Sequence, residues 1–514
     1  MLFGLTWVDQ VVFLAFCLIV FIAIKLRNRS LPYPPGPKKL PLLGNLLDLP
    51  NGLEWETYAR WSKEYDSDII HLKAVGTHIV VINSRSAAAT IFEKRSSIYS
   101  SRRQSIMLRD LMGWDWLFSS MPYGEAWKER RRIFQSYFHP NNTALFRPCQ
   151  LKFVREMLPR ILKSPNDLLP ISRHTIGAIA MSLAYGLNIK PENDPFIKLA
   201  EEAAGTISAV AVPGAFLVDM IPVLKYVPEW VPGAGFKRKA RAWRKIQERF
   251  RDAPYQQAMD DMASGTAKPS FASTSISNID RSSDVIHQEK VIKDTAGIVF
   301  AGAADTTLTS IHNFFVAMLC YPEVQKKAQQ ELDQVLKGRL PEFNDEPDLP
   351  YLGALVKEVI RWKPVTPIAI PRYATADDVY NGYYIPKGSI VIGNAWAMLY
   401  DEKHYPEPHT FNPERFLKNG ELNPDVLDPA EVAFGFGRRI CPGRHLALSV
   451  LWLTAATILS TFNITKEKEE DGTTKEPSIE YLSGLIYRPR PFRCTIAPRC
   501  KAAEELILSG TEGL

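Results

Sequence analysis

The sequence predicts a mainly α-helical chain with small β-sheets, preceded by one N-terminal transmembrane helix. Three observations carry this. Apolar residues recur at a 3.6 period from about residue 85 to 330, with few strand signals among them. Strict apolar/polar alternation is confined to short runs such as Asp68 to Asn83. Residues 2–24 are almost entirely apolar, with Asp9 and Gln10 the main interruption.

The bulk properties bound the answer. The 514 residues are 46% apolar and 23% charged, ordinary globular values with ample material for a large core. A net charge of +6 is too slight and too scattered to argue for nucleic acid, and fits a basic face toward an acidic protein or anionic membrane. Six cysteines in so long a chain form no dense framework, which fits a reducing, cytosol-facing compartment.

The first element is the apolar run. At 1.5 Å per residue it just spans a bilayer core of roughly 30 Å. Lys25, Arg27 and Arg29 follow it and are expected to hold that end in the cytosol. A cleaved signal peptide carries its positive charges before the apolar run, so residues 1–24 read as an uncleaved signal-anchor. Residues 25–40 form a basic, proline-rich hinge, Leu31-Pro32-Tyr33-Pro34-Pro35-Gly36-Pro37, which is stiff and extended. Residues 41–514 are left as the main body. Asp68–Asn83 reads as a hairpin turning at Gly76-Thr77.

Within the helical run, Trp127 and Arg131 share a helix face and are both donors able to hold a carboxylate, while Lys128, Arg130 and Arg132 read as a solvated face. Residues 211–236 are broken by proline and glycine yet stay apolar. Ser264–Ser283 is Ser/Thr-rich and reads as a surface loop. Gln288–Cys320 reads as one helix stopped by Tyr321-Pro322. At its middle, Asp305-Thr306-Thr307 sets an acid and two hydroxyls in an apolar helix. Thr306 is expected to bond the carbonyl four residues back and bend the helix, with Asp305 moving protons through it.

Glu358 and Arg361 lie at i, i+3, a spacing common by chance. The last element is the run Phe434-Gly435-Phe436-Gly437-Arg438-Arg439-Ile440-Cys441-Pro442-Gly443 and the apolar helix after it. Pro442 suits a first helical position. A cysteine before a helix N-terminus, flanked by arginines, is expected to favour thiolate. Cys441 and His445 could bind zinc, but no second pair of suitable spacing accompanies them. With Phe434 as an aromatic wall and Arg439 as a cation for carboxylates, the set describes a site for thiolate-bound haem.

The pattern F-x-x-G-x-R-x-C-x-G resembles that of the cytochrome P-450 family, and every fixed position is present. Gly302-Ala303-Ala304-Asp305-Thr306-Thr307 resembles the family's A/G-G-x-D/E-T-T/S signature, with Ala303 where glycine is usual. Phe411-Asn412-Pro413-Glu414-Arg415-Phe416 resembles its F-x-P-x-R-F pattern. The hinge resembles that of microsomal members. Met112–Trp116 and Met121–Trp127 resemble fungal, chiefly basidiomycete, members of the O-methylsterigmatocystin oxidoreductase type.

The resemblance implies the cytochrome P-450 fold and a monooxygenase holding haem b. Cys441 would be the axial ligand of the iron. Trp127, Arg131, Arg372, Phe434 and Arg439 would contact haem. Asp305 and Thr306 would relay protons, and Glu358, Arg361 and Arg415 would form a structural network. Substrate-lining candidates by position are Met107, Leu111, Trp114, Trp116, Phe118, Ile298, Ala301, Val365, Pro367, Ile368, Ile370, Leu485 and Ile486. Their apolar character favours a hydrophobic small molecule.

Electrons would come from NADPH through a separate NADPH–cytochrome P-450 reductase, with cytochrome b5 as a further partner. Such members commonly act in secondary metabolism on terpenoids, polyketides or aromatic alkaloids. The implied location is the endoplasmic reticulum membrane, single-pass, the body facing the cytosol. Two rivals share the cysteine: a haem-thiolate isomerase or dehydratase needing no outside electrons, and a non-enzymatic membrane haem-binding protein.

Overall fold

The structure, a computed structural model, describes residues 12–19, 31–211, 215–468, 473–477 and 479–510. The expected membrane segment lies mostly outside these. Of it, residues 12–19 are described and form a helical stretch with exposed side chains. Among the described residues no helix is long and apolar enough to cross a membrane.

The described part of the hinge, from residue 31 on, is docked onto the body. Tyr384 N–H donates to the Pro32 carbonyl at 2.7 Å and His71 N–H to the Pro35 carbonyl at 2.8 Å. Tyr33 stacks on His71 at 4.8 Å. A Cβ at Gly36 would stand 2.3 Å from the His71 carbonyl oxygen, so only glycine lets the connector lie this close.

Helix α1 (Glu54–Glu64) leads into strands β1 (Ile69–Ala74) and β2 (Thr77–Ile82). The turn falls on Val75-Gly76, one residue before the expected pair, with φ of +44° and +81°, the sign a tight hairpin requires. Strands β3 (Arg372–Tyr373), β4 (Asp378–Tyr380), β5 (Tyr383–Ile385) and β6 (Ile390–Gly393) complete the N-terminal sheets, the larger ordered β1-β2-β6-β3. That sheet places Arg372 at the start of an edge strand.

The helical body comprises α2 (Glu125–Tyr137), α3 (Arg147–Lys163), α4 (Leu168–Tyr185), α5 (Pro195–Ala211), α6 (Gly235–Ala263), α7 (Phe271–Ser277), α8 (Val285–Cys320), α9 (Pro322–Leu336), α10 (Pro350–Trp362), α11 (Arg444–Thr461) and α12 (Lys501–Ser509). Helix α7 corrects the loop expected over 264–283. Ser270 and Ser273 cap it reciprocally, and burial of Phe271 and Ala272 holds it down.

Helix α8 runs 36 residues as one piece, capped by Asp284 and stopped where Pro322 opens α9. It is apolar nearly all round because it packs against α2, α4, α6 and α11 at the centre of the body. Its burial is interrupted at Ala301–Thr306, where side chains keep accessible surface. The same interruption occurs at Cys441–His445, at the entry to α11, most of whose later residues are buried.

Between α5 and α6, Val212-Pro213-Gly214 lie outside the described residues. The rest forms two short 3-10 turns, Leu217–Asp219 and Pro222–Tyr226. Phe216 packs inward against Trp243, whereas Leu217, Val223, Tyr226 and Trp230 project into solvent.

Candidate haem-thiolate site

Two glycines shape the loop before Cys441. Gly435 and Gly437 have φ of +79° and +53°, and a Cβ on Gly437 would meet the Phe92 carbonyl oxygen at 2.3 Å. Phe436 then stacks on Phe92 at 5.5 Å, and Cys441 N–H closes the loop on the Phe434 carbonyl at 2.8 Å.

Helix α11 starts at Arg444 with Gly443 as its cap, so Pro442 precedes the helix instead of opening it. The thiol also departs from expectation. Burial raises its pKa, against the lowering effects of the Gly443 N–H, Arg131 and Arg444. Helix and arginines do not by themselves outweigh burial; a metal cation held at the sulfur would favour the thiolate.

Around this loop lie four buried arginines. Arg131 Nη1 donates to the Ile440 carbonyl at 2.6 Å. Arg439 donates to Ser100, Phe118 and Met121 carbonyls at 2.7, 3.3 and 2.7 Å, and sits 4.3 Å over the Trp127 ring. Arg372 Nη2 donates to the Phe436 carbonyl at 2.8 Å, and its buried Nη1 has no partner. Arg102 donates to the Ser119 and Pro371 carbonyls at 3.1 and 2.7 Å and to the Ile370 carbonyl.

Among the described residues none of the four meets a carboxylate. Burial, then the neighbouring Arg439, pulls Arg372 down to about 9. Burial and Arg131 do the same to Arg439, also to about 9, and burial takes Arg131 to about 10. Burial lowers Arg102 as well, helped by Arg372 and Arg439. Cations buried against neutral carbonyls and one another are costly unless an anion joins them. A soft sulfur, an aromatic wall and unanswered guanidiniums fit a flat metal complex bearing carboxylates, and haem is such a group.

The comparisons agree. The Cytochrome P450 family model matches residues 34–495. The chain belongs to the cytochrome P450 family.

It is 49% identical to cytochrome P450 monooxygenase ple1 of Rhodocybe pseudopiperita over 92% of this chain and 91% of the relative. Identity is 46% to cytochrome P450 monooxygenase 98 of Postia placenta, covering 96% of each. It is 40% to the tryptamine 4-monooxygenase of Psilocybe cyanescens, over 95% of this chain and 96% of the relative. This P450 is an oxidoreductase of the monooxygenase type, and the family implies haem-thiolate iron.

In this P450 chain, Glu358, Arg361 and Arg415 meet as the motifs suggested. Glu358 receives Arg361 Nε at 2.6 Å and Nη2 at 2.8 Å, Arg415 Nε at 3.2 Å and the Asn412 N–H at 2.8 Å. Arg361 and Arg415 reach on to the Leu399, Thr410 and Pro406 carbonyls, tying the connection toward Phe434 to α10.

On α8, Thr306 donates to the Gly302 carbonyl at 2.6 Å, the bond expected of it, within one continuous helix. Asp305 faces away from Thr306 and pairs with Arg173 on α4 at 3.3 Å.

The lining candidates divide by accessibility. Leu111, Ala301, Val365, Leu485 and Ile486 keep accessible surface, and the Tyr487 N–H bond to the Val365 carbonyl at 2.8 Å brings the last three together. Met107 and Trp114 have none, so neither borders a space that admits water. Phe118 and Ile298 are nearly sealed, and Pro367 is buried. Trp116 instead stacks on Phe250 of α6 with Trp114 tilted against both, and Trp116 lies on Gly297, where a Cβ would stand 2.8 Å away. Ile368 packs against the sheet and Ile370 is solvent-exposed.

Sequence reasoning missed three residues that the structure brings in. Arg102 joins the arginine cluster. Arg130, expected on a solvated face, is buried against Asp294 at 2.7 Å, while Lys128 and Arg132 do stay outside. Arg173 holds Asp305. None carries a local spacing signal, since each partner is more than a hundred residues away or is assembled from loops.

Proposed function

We propose that this chain inserts one oxygen atom of O2 into a hydrophobic small molecule in fungal secondary metabolism, taking electrons from NADPH through a separate reductase. The observation that carries the reading is the accessible interruption of α8 at Ala301–Thr306, paired with that at Cys441–His445 and flanked by apolar lining. Bound haem supplies the dioxygen activation, with Cys441 as its thiolate ligand. Arg102, Arg131, Arg372 and Arg439, with Trp127, hold its carboxylates. Phe434 fixes the loop that aims Cys441.

Thr306 keeps its hydroxyl oxygen as a proton acceptor while its hydrogen bonds the Gly302 carbonyl. Asp305, one position along, is the acid that renews that proton from solvent. Leu111, Ala301, Val365, Leu485 and Ile486 exclude bulk water and orient the substrate by shape.

One relative is named for action on tryptamine, an amine. Here the carboxylates of Asp305 and Asp294 are already paired with Arg173 and Arg130, so an uncharged substrate is the better fit. The exposed Leu217, Val223, Tyr226 and Trp230 support seating of the body on the endoplasmic reticulum membrane.

Co-expression with a P450 reductase, with metabolites compared against Cys441→Ser, tests the reading. The carbon monoxide difference spectrum of thiolate-ligated haem and a new oxygenated product that both vanish in the variant are expected. A histidine-type spectrum, or turnover of an added peroxide without reductase and none with it, would overturn it.

A further inference from the structure

A cleft of about 550 Å³ opens where the ends of α8 and α10 meet the hairpin that pairs Tyr481-Leu482 with Arg488-Pro489. Its volume lies within the roughly 300–1,000 Å³ of small-molecule sites. It is separate from the haem-thiolate site: neither Ala301–Thr306 nor Cys441–His445 lines it, and Val316 of its wall stands about 15 Å along α8 from Thr306. Leu53, Val316 and Ile479 form an apolar wall, and Trp362, Tyr481 and Tyr487 an aromatic one.

Lys363 stands among those rings. Its Nζ lies 5.0 Å from the Trp362 ring, 5.1 Å from Tyr481 and 5.9 Å from Tyr487. Tyr481 Oη donates to Asn313 Oδ1 at 3.0 Å and Asn313 Nδ2 to the Lys363 carbonyl at 2.9 Å, so the cage is tied to α8. Among the described residues no carboxylate bonds this ammonium. Burial lowers its pKa, and Glu56 opposes that only through space. The other cation of the cleft, Arg490, is already answered by Glu480 at 3.2 Å. The Cys320 thiol, raised by burial, adds no competing negative charge. One cation is left over, facing an apolar and aromatic space.

We propose that this cleft is a second small-molecule site, which takes a monocarboxylate with a flat apolar body. The carboxylate bonds Lys363 Nζ, and the body packs on Leu53, Val316 and Ile479. Phosphate fits less well, because a lone ammonium offers a point charge without a fork of donors. The wall is also continuous with the substrate lining. Lys363 precedes Val365 by two residues, Tyr487 directly follows Leu485-Ile486, and the Tyr487 N–H bonds the Val365 carbonyl at 2.8 Å. An occupant that fixes Lys363 and Tyr487 biases that lining and acts as an effector, a consequence that rests on the monooxygenase reading above.

Cys320 gives the site its own reporter, since the thiol is exposed within the cleft. The haem-loaded enzyme is treated with N-ethylmaleimide, and alkylation of the Cys320 peptide is timed by mass spectrometry with naphthoate, neutral naphthamide or inorganic phosphate present. Naphthoate is expected to slow alkylation about threefold or more while the amide and phosphate do not, the margin of one charge-assisted bond. Lys363→Met keeps the stem against the rings and should abolish the protection, with its urea midpoint as the check on folding. Equal protection by the amide or by phosphate, protection surviving in Lys363→Met, or none at millimolar naphthoate would each overturn the site. The amide and phosphate comparisons need no variant.

The effector role is read with phenylimidazole, which ligates haem iron and fills the space above it. Its spectrally titrated affinity should shift about fivefold with naphthoate in the parent and stay put in Lys363→Met. No shift, or one that persists in the variant, would overturn that role. Loss of the thiolate carbon monoxide spectrum in the parent would instead sink the monooxygenase reading and leave the Cys320 result standing.

Discussion

Apart from the Arg130–Asp294 pair, two clusters of buried arginine side chains stand among the described residues, and they differ in what answers their charge. Arg361 and Arg415 converge on one carboxylate, Glu358, with every near group also bonded to backbone. Arg102, Arg131, Arg372 and Arg439 converge on carbonyls and on each other. The first group is complete by itself and contributes to the fold. The second meets no carboxylate among the described residues and, on the proposed reading, is completed by the haem carboxylates. A buried cation's partner therefore separates scaffold from site within one protein.

The comparison can be broken most severely at Glu358. Glu358→Gln strands two buried guanidiniums and should cost about 3–5 kcal/mol, so the urea midpoint falls steeply whether or not haem is bound. The reverse is expected at Arg372, which gives up one carbonyl bond and a repulsive neighbour. Arg372→Met should leave haem-free stability within about 1 kcal/mol of the parent while haem affinity drops on the order of 10- to 100-fold, measured by haem transfer to an acceptor protein. A comparable loss of stability in both variants would erase the distinction.

Trp127→Phe sharpens it further. The ring that carries Arg439 is kept and the indole N–H is lost, so haem affinity should weaken only a few-fold, about 0.5–1.5 kcal/mol, with unfolding unchanged.

The smallest effect belongs to a third polar cluster, one kept neutral. His71 accepts from Lys39 at 3.0 Å and bonds His78 at 2.9 Å under the Tyr33 ring, an arrangement that requires its uncharged form. Burial, then Lys39, His78 and Lys73, lowers His71 from 6.5 to about 3. Between those values the unfolded segment takes a proton that the folded one refuses, so the clamp weakens as pH falls below about 6.5. Limited proteolysis of the hinge should accelerate from pH 7 to pH 5, and His71→Asn should flatten that dependence.

The parts of the site legible in the sequence are those carried by a local pattern. Phe434–Gly443 needs its glycines for positive φ and close approach, so composition reports geometry directly. Glu358 and Arg361 share a helix turn, and α8 announces itself by length and by Pro322. Arg102 and Arg103 show why the rest was hidden. They are adjacent and identical in type, yet Arg102 is buried in the cluster while Arg103 bonds the Asp219 carbonyl at the surface. Likewise Met107 and Trp114 have the composition of a pocket wall but lie sealed in the core, because apolar character is the same on either side of a packed layer.

The sequence by itself determined the family, the helical body, the glycine-shaped loop that carries Cys441 and the Glu358–Arg361 ion pair, since each rests on residues a few positions apart along one element. Only the tertiary structure decided which arginines go without a carboxylate, which apolar side chains keep accessible surface, and that Asp305 is held by Arg173. Those properties belong to pairs separated by 132 residues or more, or to the packing of whole helices, and no local period encodes them.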